Sequence, residues 1–299
     1  MTTVTAPTAL AQAVEQQLGD PYDTTNPTGF RAILAAREAG RPAAAEPLPA
    51  ALASSGNPTP EARLHALRAL YRRSPHLARA LQRDRPDDGP QAAAVRIGAA
   101  VGALDSALRL TLRHLRGRRL YGAAAIDIPH LREVLSGVHA DLLLCDVLTT
   151  LAVRGEDLLP TRPDAHEQAV RQLVPRVIQG ALDRLSVVMG SRFYIREGEH
   201  AVFQLLLHET QRQLFAPAPR PRPAPHPLPF AELVTAAPAA ALAAPEFLTA
   251  APGRILATHA RRVRQPSGAV QERLYADLER RYDTRLSFDL TERPLPDRP

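Results

Sequence analysis

Residues 90–116 read PQAAAVRIGAAVGALDSALRLTLRHLR. Ile97, Val101, Leu104, Leu108, Leu112 and Leu115 recur at steps of three and four. That spacing puts the apolar side chains on one face of a long helix. The pattern repeats downstream. In 129–153 it is carried by Leu131, Leu135, Val138, Leu142 and Cys145, and in 163–189 by Val170, Val174, Val177, Ala181, Leu185 and Val188. A fourth stretch, 199–215, carries Val202, Leu205, Leu206 and Leu214. Four long amphipathic helices with short connections predict an all-α protein built on a four-helix bundle with antiparallel neighbours.

Working outward, residues 10–20 predict a short helix stopped by Gly19, and 29–39 a second helix capped by Thr28 and ended by Gly40. Residues 41–58 have no periodicity. A helix pair follows at 60–73 and 75–84, interrupted at Ser74-Pro75. The organisation is then an N-terminal helical part and loop, 1–89; the bundle, 90–215; a stiff Pro-rich linker, 216–229; and a C-terminal helical extension, 230–299. Helices are expected at 230–262 and 268–286, and one short strand between Asp283 and Asp289.

Composition narrows the chemistry. All 37 basic residues are Arg, so no Schiff-base lysine and no phosphate-loop lysine exists. Aromatics are 4% and Trp is absent, which leaves a core of Leu, Val, Ile and Ala. The net charge of +6 and a pI near 10.2 come with neither a basic stripe interleaved with aromatics nor a docking motif, so no nucleic-acid partner is expected. A single cysteine, Cys145, excludes an internal disulfide and reads as a small core residue. Residues 1–20 lack a signal-peptide pattern, and no uninterrupted apolar stretch spans a bilayer. A cytoplasmic protein with no membrane contact is the expectation.

Several segments, taken in order, resemble one family. RIGAAVGALDSALRLTLRHLRGRRLYG (96–122) joins a Gly-containing helix to a basic end and an Arg-x-x-aromatic-Gly run. An Ile-Asp-Ile-Pro approach to the next helix follows, then VVMGSRFYIREG (187–198) after the third and EHAVFQ (199–204) opening the fourth. The series resembles the C-terminal helical bundle of acyl-CoA dehydrogenases. LGDPYDTTNPTGF (18–30) is similar to the start of a carrier-linked biosynthetic branch of that family. The resemblance implies an FAD-dependent oxidation of an acyl thioester, on CoA or an acyl carrier protein. A carboxylate removes the α-proton, and the β-hydrogen leaves as hydride to the flavin. It also implies that Arg118, Tyr121 and Gly122 help hold FAD, with Gly190 and Ser191 close to it. On the residues alone, Arg116, Arg118 and Arg119 equally offset a helix dipole, and Gly190 equally ends a helix.

The chain departs from the family's pattern where the chemistry lies. Only about ninety residues precede the bundle, all read as helix or loop, where the family carries a β-rich domain over the flavin ring. The Arg-Asp pair expected late in the fourth helix reads His208-Glu209, and the turn that carries the catalytic acid in many members reads Leu214-Phe215-Ala216-Pro217. Asp105 is the sole acid inside the first bundle helix. His208, Glu209 and Asp105 are therefore the candidate catalytic residues. Glu197 and His200 have one half of a di-metal spacing, interrupted by Gly198, and no metal is expected. Three readings stay open: an accessory subunit completing the FAD site of a full-length dehydrogenase, a flavin-free cyclase or dehydratase on a carrier-bound intermediate, and a self-sufficient homo-oligomeric flavoenzyme.

Overall fold

The computed structural model describes residues 7–40, 58–78, 91–120, 122–155, 165–215 and 268–297. The expected linker, the 230–262 helix and most of the 75–84 helix lie outside the described residues. So does Tyr121.

The described chain is mostly helical. Its order is α1 (Ala9–Leu18), α2 (Phe30–Glu38), α3 (Pro60–Arg73), α4 (Ala92–Gly117), strands β1 (Arg119–Leu120) and β2 (Ala123–Ala124), α5 (Pro129–Arg154), α6 (Ala165–Met189), α7 (Gly198–Leu214) and α8 (Gly268–Asp283). Single turns of 3-10 helix, Ala125–Asp127 and Gly190–Tyr194, precede α5 and follow α6. α4 packs on α5, α6 and α7, and α5 packs on α6. α3 lies across α4 and contacts α1 and α5, while α8 lies on α5.

Helix ends follow local chemistry. Gly19 stops α1 at φ +63. Thr59 accepts from the Ala62 amide at 3.2 Å, and Pro60 opens α3 where a helix needs no N–H. Ser74, extended before Pro75, ends it. The expected cap of α2 differs. Gly29 occupies the cap position, and the Thr28 hydroxyl instead donates to the Leu18 carbonyl at 2.8 Å. That bond ties the Pro21–Thr28 turn to the end of α1.

Two short extended features differ from the expectation. β1 and β2 pair antiparallel, Arg119 with Ala124 and Leu120 with Ala123, and Gly122 turns the chain at φ +87. The strand expected in 283–289 is a single bridge between Leu286 and Pro294.

The apolar faces converge on one core that includes Leu104, Leu108, Val138, Leu142, Val174, Leu185 and Phe203. Val270, Leu274, Leu278 and Phe288 from the C-terminal segment belong to it too. α5 is long and apolar enough to cross a membrane by length and composition, but 89% of its most apolar window is buried inside the fold. Its apolarity is that of a helix covered on several sides.

The α3–α4 crossing is close. A Cβ on Gly102 would lie 2.1 Å from the Arg68 carbonyl oxygen, and one on Gly98 2.8 Å from Leu64. Gly102 lets α4 meet the backbone of α3, and Gly98 leaves room for the Leu64 and Thr149 side chains. The Arg68 guanidinium also reaches back to the Gly98 carbonyl at 3.1 Å.

Candidate functional site

Three places in the molecule carry chemistry-bearing side chains. The first is the end of α4. Arg118 closes the helix, its amide donating to the His114 carbonyl at 3.0 Å. Its guanidinium lies 3.9 Å from where a Cβ on Gly190 would stand. Gly190, at φ +58, begins the 3-10 turn after α6, and Ser191 beside it is exposed. Arg118, Gly190 and Ser191 are therefore brought together across seventy residues of sequence. Gly122 sits exposed at the hairpin turn with open space around its α-carbon. Among the described residues no carboxylate pairs with Arg118.

The same end holds two histidines. The His114 and His200 rings meet edge to face at 5.2 Å between centroids. Burial, then His200, Arg118 and Arg192, pushes the His114 imidazole down to about 4. Burial and Arg192 lower His200 as well. Both rings are thus neutral near pH 7 beside two guanidinium groups. A guanidinium with a glycine turn beside it fits a pyrophosphate, because the fork reaches two oxygens and the bare backbone admits them.

The second place is a cleft of about 580 Å³ between α2, the Pro21–Thr28 turn and the start of α7. Tyr22, Phe30, Leu34 and Val202 give it an apolar floor. Arg113 donates to Glu199 at 2.9 Å and lies over the Tyr22 ring at 4.3 Å. Burial pushes the Glu199 carboxyl up, and Arg113 offsets part of that rise. A carboxyl whose proton affinity is raised in an apolar cleft is suited to acid–base work. The sequence analysis did not single out Glu199, because its partner Arg113 lies 86 residues earlier in the chain.

The third place is a buried ionic network in which the C-terminal tail, 284–297, is embedded. Arg72 pairs with Glu15 at 3.0 Å, Asp105 at 3.2 Å and Asp297 at 2.7 Å. Asp105 also accepts from Arg109 at 3.0 Å and from the Phe288 amide. Arg68 pairs with Asp146 and donates to Thr149 at 2.9 Å. Asp146 accepts from the Leu290 amide at 2.7 Å, and Arg293 pairs with Asp289 at 2.8 Å. Arg109 donates to the Leu286 carbonyl and lies 4.0 Å above the Phe288 ring. Asp105 is 2% exposed and every one of these partners holds fold elements together.

The other catalytic candidates stand apart. Glu209 accepts from the Ser74 hydroxyl at 2.9 Å and the His76 amide at 3.0 Å, capping the helical turn at 75–78. His208 is exposed, its ring lowered by partial burial and by Arg37 and Arg212. Asp105, His208 and Glu209 share no partner with one another. Among the described residues no group of three or more His, Cys, Asp or Glu is placed to hold a metal. Cys145 is buried, and burial raises its thiol well above the ordinary range, which makes it inert.

No protein family, curated protein or solved structure matches this chain.

Proposed function

We propose that the chain is an accessory member of the acyl-CoA dehydrogenase family, its α4–α7 core a four-helix bundle of that family's C-terminal type. In this reading it docks on a full-length dehydrogenase and completes that subunit's FAD site. The observation that carries the reading is the meeting of Arg118 with Gly190 and Ser191 at one end of α4 and α6, with no carboxylate on the guanidinium among the described residues. Arg118 would hold the FAD pyrophosphate, and the exposed Ser191 hydroxyl would add a hydrogen bond. FAD supplies the hydride acceptor for α,β-desaturation of an acyl thioester on CoA or an acyl carrier protein. Val187 and Tyr194, each 78% exposed, flank Gly190 and give the partner subunit an apolar contact. The accessory role rests on the acids. Asp105 and Glu209 are both committed to holding the fold, so neither is free to remove a proton.

The test is an absorbance spectrum of the purified chain, alone and co-expressed with a full-length acyl-CoA dehydrogenase from the same genome. The expected outcome is a colourless single protein and a yellow complex that survives gel filtration, with flavin lost from the complex on Arg118→Ala. No co-purification with any such partner, and no flavin retained, sinks the proposal.

A second reading is favoured by the Glu199 cleft: a flavin-free enzyme on a carrier-bound intermediate. Here Glu199 is the acid–base group, and Arg113 positions it. Turnover of a thioester substrate that disappears in Glu199→Gln and persists in Arg118→Ala would select this reading over the first.

A further inference from the structure

Arg113 and Glu199 both line the cleft of about 580 Å³ between α2, the Pro21–Thr28 turn and the start of α7. Their side chains are 34% and 36% exposed, so a molecule in the cleft can touch either. The Arg113 guanidinium spends its Nε on Glu199 at 2.9 Å, and it lies over the Tyr22 ring. Among the described residues no second carboxylate pairs with it. The volume is that of a small-molecule site, about 300–1,000 Å³.

The other charges of the lining stand at the mouth. Arg31 and Glu38 project from α2, and Arg196 and Glu197 precede α7, all four exposed. Two of each sign cancel, so the mouth sets no preference for charge. The remaining titratable groups near Glu199 are the phenols of Tyr22 and Tyr282. Burial pushes both up, and they stay neutral. An apolar tail laid on Phe30, Leu34 and Val202 therefore brings its polar head to Arg113 and Glu199. A carboxylate head gains a charge-assisted hydrogen bond from the guanidinium, about twice as strong as a neutral head gains. Its cost is the like charge of Glu199. That cost is removed if Glu199 is protonated. Burial already holds this carboxyl above its ordinary range, and a second carboxylate beside it acts in the same direction.

We propose that the cleft binds a small apolar monocarboxylate, its tail on Phe30, Leu34 and Val202 and its head on Arg113, and that Glu199 takes up one proton from solvent as the ligand binds. Two carboxyl groups then share one proton and one guanidinium. Binding needs neither flavin nor turnover, so it stands or falls apart from both readings of function.

The test is isothermal titration calorimetry of the full chain with hexanoate, and with hexanamide as its uncharged isostere, at pH 8.0, 7.0 and 6.0. Hexanoate should bind more tightly at each lower pH, by up to about tenfold per unit, the limit for one linked proton. Hexanamide should bind more weakly and without that dependence. Glu199→Gln removes the competing charge, so it should tighten hexanoate at pH 8.0 by about tenfold, the effect of one pKa unit, and flatten the pH dependence. Arg113→Met should weaken hexanoate by about tenfold, the worth of a hydrogen bond to a charged group. Ala35→Trp, at an exposed position that lines the cleft, should abolish binding without disturbing the core. No hexanoate binding by the wild-type chain, binding that survives Ala35→Trp, or equal affinity for hexanamide overturns the site. Weaker hexanoate binding in Glu199→Gln at pH 8.0 overturns the role of Glu199. Loss of binding in Arg31→Gln or Arg196→Gln, with Arg113→Met unchanged, moves the carboxylate to the mouth and overturns the assignment to Arg113.

Discussion

Asp105 accepts from Arg72, Arg109 and the Phe288 amide, so its charge joins α3, α4 and the C-terminal tail. Breaking a buried pair leaves an uncompensated cation and costs about 3 kcal/mol or more. Asp105→Asn should lower the urea midpoint by a corresponding amount. An unchanged midpoint would return Asp105 to the catalytic candidates. His65 gives a pH dependence with a defined sign. Its folded pKa is depressed from 6.5 to about 4, so the unfolded chain binds a proton first as pH falls. Stability is full above 6.5 and declines between 6.5 and about 4. Asp289 and Asp297 are held below 3.8 by Arg293 and Arg72 against the opposing effect of burial. Their contribution is present above 3.8 and is lost as pH falls below it. Glu15 acts oppositely, since burial raises it above 4.5 and its protonation relieves the native state. Thermal melts from pH 7.5 to 4.5 should show a falling midpoint, and His65→Phe should flatten that fall.

At the scale of elements, the α3–α4 crossing depends on Gly102, because a side chain there meets the backbone of Arg68 rather than a movable group. Overpacking of this kind costs about 3 kcal/mol. Gly102→Ala should therefore destabilise far more than Gly180→Ala, which has open space around its α-carbon. Chemical denaturation of the two variants side by side checks this. Glu209 at α7 caps the turn at 75–78, and Glu209→Ala should cost about 1 kcal/mol, the worth of an N-cap. The helices themselves were legible, since α4, α5, α6 and α7 each follow a three-and-four apolar spacing. The 119–124 hairpin was not. Two residue pairs are too short to show alternation, and Gly122 alone does not tell a turn from a phosphate contact.

At the scale of the molecule, the C-terminal tail completes the interior. Glu15, Asp105, Asp146, Asp289 and Asp297 meet Arg68, Arg72, Arg109 and Arg293 inside the fold. A chain ended after Asp283 would leave Arg72 without Asp297, Arg293 absent and the Phe288 side chain missing from the core. Such a chain should lose its cooperative thermal transition, as read by near-UV circular dichroism and calorimetry. A sharp transition close to that of the whole chain would mean that the tail is an ornament of the fold rather than a part of it.

By itself the sequence determined the helical class, the spans of the long helices, the break at Ser74-Pro75 and the apolar composition of the core. Those properties are local: a period of 3.6 residues, a proline or a glycine acts within a turn or two of itself. Only the tertiary structure decided what the charges do. Asp105 read as a candidate base, yet its partners include Arg72 and Phe288, which stand 33 and 183 residues away along the chain. Glu199 drew no reading of its own beyond opening the fourth helix, yet Arg113 and an apolar cleft give it a shifted proton affinity. Arg118 and Gly190 met only because α4 and α6 end at the same height. An ionic side chain takes its energy from whatever lies within a few ångströms, and in a folded chain those neighbours are set by packing, which no local pattern encodes.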